Sequence, residues 1–406
     1  MALPSALLTR RAFLGTTSLS ATGALLAAGD LQVPRGDVAV ELDPRQPGAG
    51  TVRTKSPFGI GFGEGWPVST VGPDDDLAAR IGPRRIIELR PGRYTRGLVL
   101  RGIEDLVIRA QLDSQAEVCF WRCGIRLESA TRVGIEGVVF RQSPATALGV
   151  EGPSREIQVD QCSFFACGMP EGSVTFWLGR NTALCRVHAC LFDACGLRAP
   201  RHDSSGHVSD IAVMCAEESC IEHLFMNNRV LSYGYGFQLG ISGTCRKEGR
   251  HRVEGNQIYH PLSDGIHVKQ AHCLVRGNRV HGAARYAIST RAGFETRLEA
   301  NHLTDCQHGI RILGPDHQVV GNLIERSRRY GLLLSPGKAG GDGFPAENTL
   351  VEDNVFRDCG GFDQQPIVPP PGAVILSDAT TEQRIRNNRF EGIAVERAVL
   401  PSGWSD

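Results

Sequence analysis

A short motif recurs through the second half of this 406-residue chain and limits the possible folds more than any other feature. It consists of an aliphatic residue, two variable residues, an asparagine or small residue, and an aliphatic or aromatic residue two positions later. The asparagines of the four clearest copies are 22, 23 and 21 residues apart: Asn256, Asn278, Asn301 and Asn322. A period of about 22 residues indicates a solenoid in which each coil packs on its neighbours.

A second signal lies between these motifs, where hydrophobic residues alternate with a period of two, as a strand requires. The segments that show it are Gly236–Gly240, Gly265–Lys269, Ala287–Arg291, Gly309–Leu313 and Gly331–Leu334. Two or three strands with their turns fill a coil, which leaves no room for the helix of a βαβ crossover. We therefore predict an all-β fold, a single-stranded right-handed parallel β-helix of about ten coils.

The asparagines suit a bend, because asparagine tolerates left-handed backbone angles and bonds to neighbouring backbone. We expect them to form a structural column. Ahead of the coils, Asp74–Arg80 predicts a short capped helix, followed by a strand in Arg85–Tyr94. This segment resembles the N-terminal cap of the pectate-lyase-like superfamily, and a cap is needed because an open solenoid end exposes strand edges. We place the cap at about 70–100 and the regular coils at about 100–395.

The N-terminus has a different character. Paired arginines, Arg10 and Arg11, precede an apolar run that ends in small residues at Ala28, which resembles a twin-arginine export signal. We predict that residues 1–30 are this signal, that residues 31–406 form the β-helix domain, and that the twin-arginine export machinery delivers the protein to the periplasm or outside the cell. No later run approaches the roughly 18 apolar residues of a membrane span.

Charge composition narrows the choice of partner. The 44 Lys and Arg residues balance the 44 Asp and Glu residues. A neutral chain has no general field for nucleic acid phosphates, so nucleic acid is not an expected partner. Any charged substrate must instead be bound by a local cluster.

The thirteen cysteines include four that lie eight residues after the start of a motif: Cys167, Cys195, Cys306 and Cys359. This regular placement predicts a buried stack of small side chains, since buried thiols often act as small hydrophobes. Metal binding is the alternative, but the chain contains no CxxC pair.

The alternation predicts which side chains face outward. With Ile266 and Ile288 inward, the outward set is Gln238, His267, Lys269, Ser289, Arg291 and Arg311. Lys269 and Arg291 should stand on adjacent coils about 4.8 Å apart, with His267, Ser289 and Arg311 forming the next column. Like charges on neighbouring strands are destabilising, so such a patch favours a bound anion such as a uronate carboxylate.

The stretch from Asp264 to Leu303 is similar to the catalytic stretch of the alginate lyase and chondroitinase B family, with a Lys followed 22 residues later by an Arg. The resemblance implies β-elimination on an acidic polysaccharide, with Lys269 as the base and Arg291 near the leaving oxygen. A lysine base needs a lowered pKa, which nearby arginines would supply by repulsion. The other outward residues are then expected to bind substrate: His267, Arg311, Gln238 and Ser289.

Departures from that family concern calcium. Its members carry two glutamates just before the Lys, at positions that Leu262 and Asp264 occupy here, and a His after the Arg, where this chain has Ala292. Calcium usually takes six to eight oxygen ligands, and Asp264 is one candidate. We therefore expect no cofactor, with Arg311 in the place of calcium.

Two other functions remain open on the sequence alone. A uronate C5-epimerase shares the proton abstraction, and His267 would fit its second acid. A non-catalytic glycan-binding β-helix would use the cations only to hold carboxylates. A pectin hydrolase is less favoured, because hydrolysis needs paired carboxylates and the clustered aspartates are not visible.

Overall fold

A computed structural model describes residues 63–400 of the chain, apart from residues 112–115, 169–173, 195–209, 218, 242–247, 292, 337–343, 361–371, 378–381 and 394–396. The predicted export signal, residues 1–30, lies outside the described residues and stays a prediction. Within the described part of the chain, no helix is long and apolar enough to cross a membrane.

The fold prediction is confirmed: the chain coils into a right-handed parallel β-helix with three sheets of 13, 12 and 12 strands. Each coil gives one strand to each sheet, and each strand pairs in parallel with its equivalents one coil away. Sheet 1 contains Val68–Val71, Arg85–Leu89, Glu104–Ala110, Thr131–Glu136, Arg155–Asp160, Arg186–His188, Leu224–Met226, Arg252–Glu254, Leu274–Arg276, Arg297–Glu299, Gln318–Val320, Leu350–Glu352 and Arg384–Arg386.

Sheet 2 follows sheet 1 along each coil. Its strands are Gly92–Tyr94, Val118–Trp121, Val139–Arg141, Ser163–Phe165, Leu191–Asp193, Arg229–Leu231, Gln257–Tyr259, Arg279–His281, His302–Thr304, Leu323–Glu325, Val355–Arg357 and Arg389–Glu391.

Sheet 3 closes each coil and carries the second signal of the sequence. Its strands are Leu98–Arg101, Ile125–Glu128, Leu148–Glu151, Val174–Leu178, Ile211–Cys215, Tyr235–Leu239, Ile266–Val268, Tyr286–Thr290, His308–Ile312, Tyr330–Leu334, Gly372–Ser377 and Arg397–Leu400.

The capping helix is confirmed as a single turn, Leu77–Arg80. The Asp76 side chain accepts a hydrogen bond from the Ala79 backbone nitrogen at 3.3 Å, which satisfies one of the free donors of the first turn. Leu77 is buried in the solenoid core. The acidic sequence before the helix therefore starts it, and its one buried leucine attaches it to the end of the β-helix.

The predicted asparagine column lies inside the bend between sheets 1 and 2. Asn278 is typical: its Nδ2 donates to Asn301 Oδ1 at 3.0 Å and to the Val253 carbonyl at 2.8 Å. Its Oδ1 accepts from both the backbone nitrogen and Nδ2 of Asn256, at 3.0 and 2.9 Å. The ladder contains Asn228, Asn256, Asn278, Asn301, Asn322, Asn354 and Asn388.

The left-handed backbone angle of this bend falls one residue earlier than the sequence argument placed it. Gly255 and Gly277 have φ of 63° and 64°, and Ala300 occupies the equivalent position with φ of 52°. The preceding residue thus turns the chain, and the asparagine satisfies backbone groups in the bend.

The core repeats along the axis in the same way as the backbone. A stack of aromatic rings inside sheet 2 has centroid separations of 5.4, 5.5, 5.0 and 4.7 Å through Tyr94, Phe120, Phe140, Phe164 and Phe192. Such pairs contribute about 0.5–1.5 kcal/mol each beyond the area they bury. The parallel register of sheet 2 therefore brings like side chains together on successive coils.

Three of the four repeated cysteines lie among the described residues, and all three are buried free thiols: Cys167, Cys306 and Cys359. Burial raises the pKa of the Cys306 thiol to about 12 and that of Cys359 to about 11. Their thiols face backbone carbonyls, as for Cys167 and the Phe140 carbonyl at 3.4 Å. These cysteines fill the core as small apolar groups.

Candidate active site

The outer face of sheet 3 carries the side chains that the sequence singled out. His267 pairs with Ser289, and Ser289 pairs with Arg311 on the next coil. Gln238 pairs with His267 from the preceding coil, so these four residues form one column. Three of them are largely covered, with exposures of 8% for Gln238, 5% for His267 and 2% for Ser289, whereas Arg311 is half-buried. The first three side chains therefore lie below the surface of this face, and Arg311 is partly exposed.

Lys269 and Arg291 lie immediately after two neighbouring strands of sheet 3, on adjacent coils. They directly follow Val268 and Thr290, which pair with each other, and the Arg291 backbone nitrogen donates to the Val268 carbonyl at 2.7 Å. Both side chains are half-buried. Both positive charges act on His267, whose pKa they help to lower. The Lys and the Arg therefore lie beside the His267 column, as the alternation predicted.

A compact hydrogen-bonded group lies at the centre of this face. Asp264 Oδ2 lies 2.8 Å from His267 Nδ1 and accepts from Ser289 Oγ at 2.6 Å. The Ser289 hydroxyl is also 2.6 Å from His267 Nδ1. Asp264 is only 1% exposed, and its Oδ1 accepts from the Tyr286 backbone nitrogen at 3.4 Å. The carboxylate thus holds both the histidine ring and the serine hydroxyl.

These contacts fix the protonation of the group. Burial alone would raise the pKa of Asp264. The hydrogen bond and charge of His267, the charge of Arg285 and the hydrogen bond from Ser289 outweigh burial and lower this pKa to about 2. Burial lowers the pKa of His267 to about 4, against the opposing effect of Asp264. Because an ionised carboxylate only accepts, the neutral ring carries its proton on Nδ1. His267 therefore keeps its lone pair on Nε2.

A second outward column borders the first, and the alternation rule missed it. Gly265 and Ile266 both face the core, since a Cβ on Gly265 would lie 2.7 Å from the buried Val280 side chain. Two consecutive inward residues turn the corner between sheets 2 and 3, so the residues on both sides of them face outward. The second column contains Tyr235, Asp264, Tyr286, His308 and Tyr330.

Two arginines lie against the Tyr286 ring. The guanidinium carbons of Arg285 and Arg311 are 5.1 and 5.4 Å from the ring centroid. The ring also stacks on His308 at 4.8 Å, and His308 stacks on Tyr330 at 4.8 Å. Arg285 was not among the predicted residues, because the repeat places it in the turn before the strand. The structure thus adds Arg285 and Tyr286 to the cationic patch.

Tyr235 completes the group beside His267. Its ring lies edge-on to the His267 ring, with centroids 5.6 Å apart. Burial raises the pKa of the Tyr235 hydroxyl, as does the charge of Asp264, while Arg285 and Arg291 lower it. The charges of Arg285 and Arg291 therefore both act on Tyr235, the neighbour of His267.

The donor set at this face does not fit calcium. Asp264 was the candidate ligand, but its two carboxylate oxygens already accept three hydrogen bonds from Ser289, His267 and the Tyr286 backbone. Leu262, the other position where the resemblance would place a glutamate, is apolar. Calcium requires six to eight oxygen ligands, so these residues do not fit the ion.

A separate cluster inside the solenoid brings Cys215, His223 and His251 together, with one potential ligand atom of each within 4.8 Å of the others. Both imidazoles are already committed to the backbone: His223 Nδ1 accepts from the Cys185 nitrogen at 3.1 Å, and His251 Nδ1 from the His223 nitrogen at 3.2 Å. Their protons therefore lie on Nε2, which in His251 donates to Gln270 Oε1 at 2.9 Å. A metal would need those lone pairs, so we interpret the cluster as structural.

Comparison with known proteins agrees with this architecture. The family model described as right handed beta helix region matches residues 239–403. No curated protein matches the chain. A mannuronic acid specific polysaccharide family 6 lyase from human gut microbiota is 17% identical, with 79% of this chain and 82% of that one covered and a TM-score of 0.57.

Two further solved structures have the same fold. A family 6 polysaccharide lyase from Pseudopedobacter saltans is 13% identical over 83% of this chain and 93% of that one, with a TM-score of 0.54. The A-module of a mannuronan C-5 epimerase from Azotobacter vinelandii is 12% identical over 80% and 92%, with a TM-score of 0.50. At these identities the similarity is one of fold.

Proposed function

We propose that this protein is a lyase that cleaves a uronate-containing polysaccharide by β-elimination, with Lys269 as the base and Arg291 beside the leaving oxygen. The observation that carries the proposal is the position of these two side chains. They directly follow the paired last residues of two adjacent sheet 3 strands, Val268 and Thr290, and both charges act on His267. A base and a cation one coil apart can contact neighbouring atoms of one sugar ring.

The chemistry needs three things from the protein. Lys269 Nζ removes the proton on the carbon next to the uronate carboxyl group, and the electron pair of that C–H bond forms a double bond as the C4–O4 bond breaks. The departing oxygen takes up a proton from solvent water, with Arg291 stabilising its developing charge. The negative charge that develops on the carboxyl group is offset by nearby cations, among which we place Arg311. Gln238, His267 and Ser289 shape the floor on which the sugar lies.

The neighbours in fold indicate which polymer to test first. Two of them are a mannuronic acid specific lyase and a mannuronan C-5 epimerase. An alginate-like uronate is therefore our first choice of substrate, with glycosaminoglycans second.

The test is the ultraviolet absorbance of the 4,5-unsaturated uronate that elimination creates. Purified protein is incubated separately with alginate, chondroitin or dermatan sulfate, heparin-type glycans and pectate. Lys269→Ala should lower turnover by about 10²- to 10⁴-fold, the range for loss of a general base. Lys269→Arg keeps the charge but is too weak a base, so it should lose activity as well. Arg297→Gln, which alters an exposed arginine on sheet 1, is the control that should stay active.

Activity that survives in Lys269→Ala would overturn the assignment of the base. Absence of any absorbance change on all polymers, with binding intact, would overturn the lyase. A glycan-binding protein without catalysis would give that second result in every variant.

A uronate C5-epimerase is the second candidate, and one observation favours it. The neutral His267 ring has a lone pair on Nε2, so it can remove the C5 proton while protonated Lys269, two residues away, returns a proton to the opposite face. An epimerase would incorporate deuterium from heavy water at C5 without shortening the polymer. Mass spectrometry and nuclear magnetic resonance of the recovered polymer would distinguish this reaction from elimination.

A further inference from the structure

We propose that Arg285 and Arg311, held against the Tyr286 ring, form a calcium-free subsite for the uronate carboxylate. The inference rests on the proposed function and names the group that neutralises the substrate's charge there. It also adds a residue, Arg285, to the predicted site.

The two guanidinium groups share one aromatic support. Their central carbons lie 5.1 and 5.4 Å from the Tyr286 ring centroid, within the range of cation–π attraction. A guanidinium held in this way keeps the N–H groups along its edge, and that fork matches the two oxygens of a carboxylate. Tyr286 thus holds two such forks close to one ring.

The support is rigid. Tyr286 is only 1% exposed and stacks on His308, which stacks on Tyr330, so three rings on successive coils hold one another. The Tyr286 backbone nitrogen also donates to Asp264 Oδ1. Restricting an arginine in advance reduces the entropy lost when it binds an anion. The stacked rings therefore favour binding by these arginines.

The subsite is connected to the proposed catalytic residues. Arg311 belongs to the same column as Ser289 and His267. The charge of Arg285 acts on Asp264 and Tyr235, and that of Arg291 acts on Tyr235 and His267. The positive charge is thus concentrated at the corner where Asp264, the candidate calcium ligand, accepts three hydrogen bonds from the protein.

The experiment measures binding in the Lys269→Ala background, where a bound oligomer is not consumed. Isothermal titration calorimetry in the presence of a chelator compares uronate hexamers from the four polymers with their methyl esters, in which the carboxylate charges are removed. Arg285→Gln and Arg311→Gln should each weaken binding of the acid form by about 10- to 100-fold, the effect of losing a charge-assisted hydrogen bond. Binding of the ester should change by no more than about twofold. Arg297→Gln, remote on sheet 1, should bind both forms as its parent does.

Several outcomes would overturn the subsite. Acid-form binding unchanged by both arginine substitutions would do so, as would equal weakening for acid and ester. Binding that disappears in chelator and returns with calcium would overturn the subsite and leave the lyase standing. Loss of acid-form binding in both variants of a protein that cleaves nothing would support the subsite and reject the lyase. Failure of every uronate hexamer to bind would reject both. Circular dichroism and thermal unfolding establish that each variant is folded.

Discussion

Two polar columns run along this solenoid, and they differ in almost every respect. The ladder between sheets 1 and 2 uses one residue, asparagine, on seven coils from Asn228 to Asn388. The column on the outer face of sheet 3 changes residue at each coil. Its members include Gln238, His267, Ser289 and Arg311.

The difference shows which positions within a coil the fold constrains. Each asparagine satisfies backbone groups that would otherwise be buried without partners, so the same side chain recurs on the seven coils of the ladder. The sheet 3 column has its backbone satisfied by the parallel sheet, which leaves its side chains available for other roles. We therefore place the candidate binding and catalytic residues where the side chain changes from coil to coil, and structural residues where the same side chain is repeated.

The ladder should be the more sensitive of the two columns to truncation. Asn278→Ala would remove the acceptor of both the backbone nitrogen and Nδ2 of Asn256, which lie 3.0 and 2.9 Å from Asn278 Oδ1. The Asn256 amide keeps the Phe225 and Glu254 carbonyls as acceptors, so its backbone nitrogen is the donor left unsatisfied, and we expect a loss of about 1–3 kcal/mol in the free energy of unfolding. Urea unfolding followed by circular dichroism measures it.

A matched amide is available nearby. Gln318 is exposed on sheet 1, and Gln318→Ala should change the free energy of unfolding by less than about 0.5 kcal/mol. A similar loss for both variants would mean that the ladder is not a special stabilising feature, and the comparison of columns would fail.

Buried histidines inside the solenoid should make its stability depend on pH, whereas the asparagines of the ladder do not titrate. Burial lowers the pKa of His317 to about 4, and its Nδ1 accepts from the Thr296 nitrogen at 3.2 Å. The unfolded chain, with an ordinary histidine pKa near 6.5, binds one more proton between these values. Stability should therefore fall as the pH drops from about 6.5 to 4, by about 3 kcal/mol for this histidine.

An asparagine side chain in place of His317 can supply an acceptor for the Thr296 nitrogen, and it does not titrate. His317→Asn should unfold at a more nearly constant urea midpoint between pH 7 and 4.5, since its share of the acid loss disappears. His272→Asn, a change at an exposed histidine, should keep the full acid loss. If both variants follow the wild-type profile, His317 does not carry the predicted proton linkage.

The sequence was sufficient for the fold because a solenoid repeats its local instructions. The spacing of Asn256, Asn278 and Asn301 gave the length of a coil, and Asp76 gave the start of the capping helix. The period-two pattern also placed His267 and Ser289 on one column, which the register of sheet 3 shows. Each of these depends on neighbours in sequence or on a fixed period.

The rest of the candidate site depends on a departure from that period. Strict alternation puts Asp264 and Tyr286 on the same face as Ile266 and Ile288, toward the core. Two consecutive inward residues at the corner reverse this, and the small side chains there, such as Gly265, are the one signal in the sequence. Arg285 precedes this corner, so a method that aligned only the strands could not include it.

The tautomer of His267 depends on the carboxylate of Asp264. Asp264→Asn keeps the shape of the carboxylate but allows an amide to donate, so Nδ1 of His267 is no longer required to hold the proton. We expect turnover to fall about tenfold, equivalent to about 1.4 kcal/mol. The Nε2 nitrogen resonance of His267 should lose the position of an unprotonated nitrogen. An unchanged resonance would show that Asp264 does not position the ring.

Ser289→Ala should have the smallest effect and separates the roles within the site. The serine hydroxyl contributes 2.6 Å contacts to Asp264 Oδ2 and His267 Nδ1, but the direct contact between those two groups remains. Loss of one such hydrogen bond corresponds to about 0.5–1.5 kcal/mol, so turnover should fall only about three- to tenfold. The tautomer resonance should stay in place, because Asp264 still accepts from Nδ1. A loss as large as that of Lys269→Ala would instead make Ser289 part of the catalytic machinery, not only of the surface on which the sugar lies.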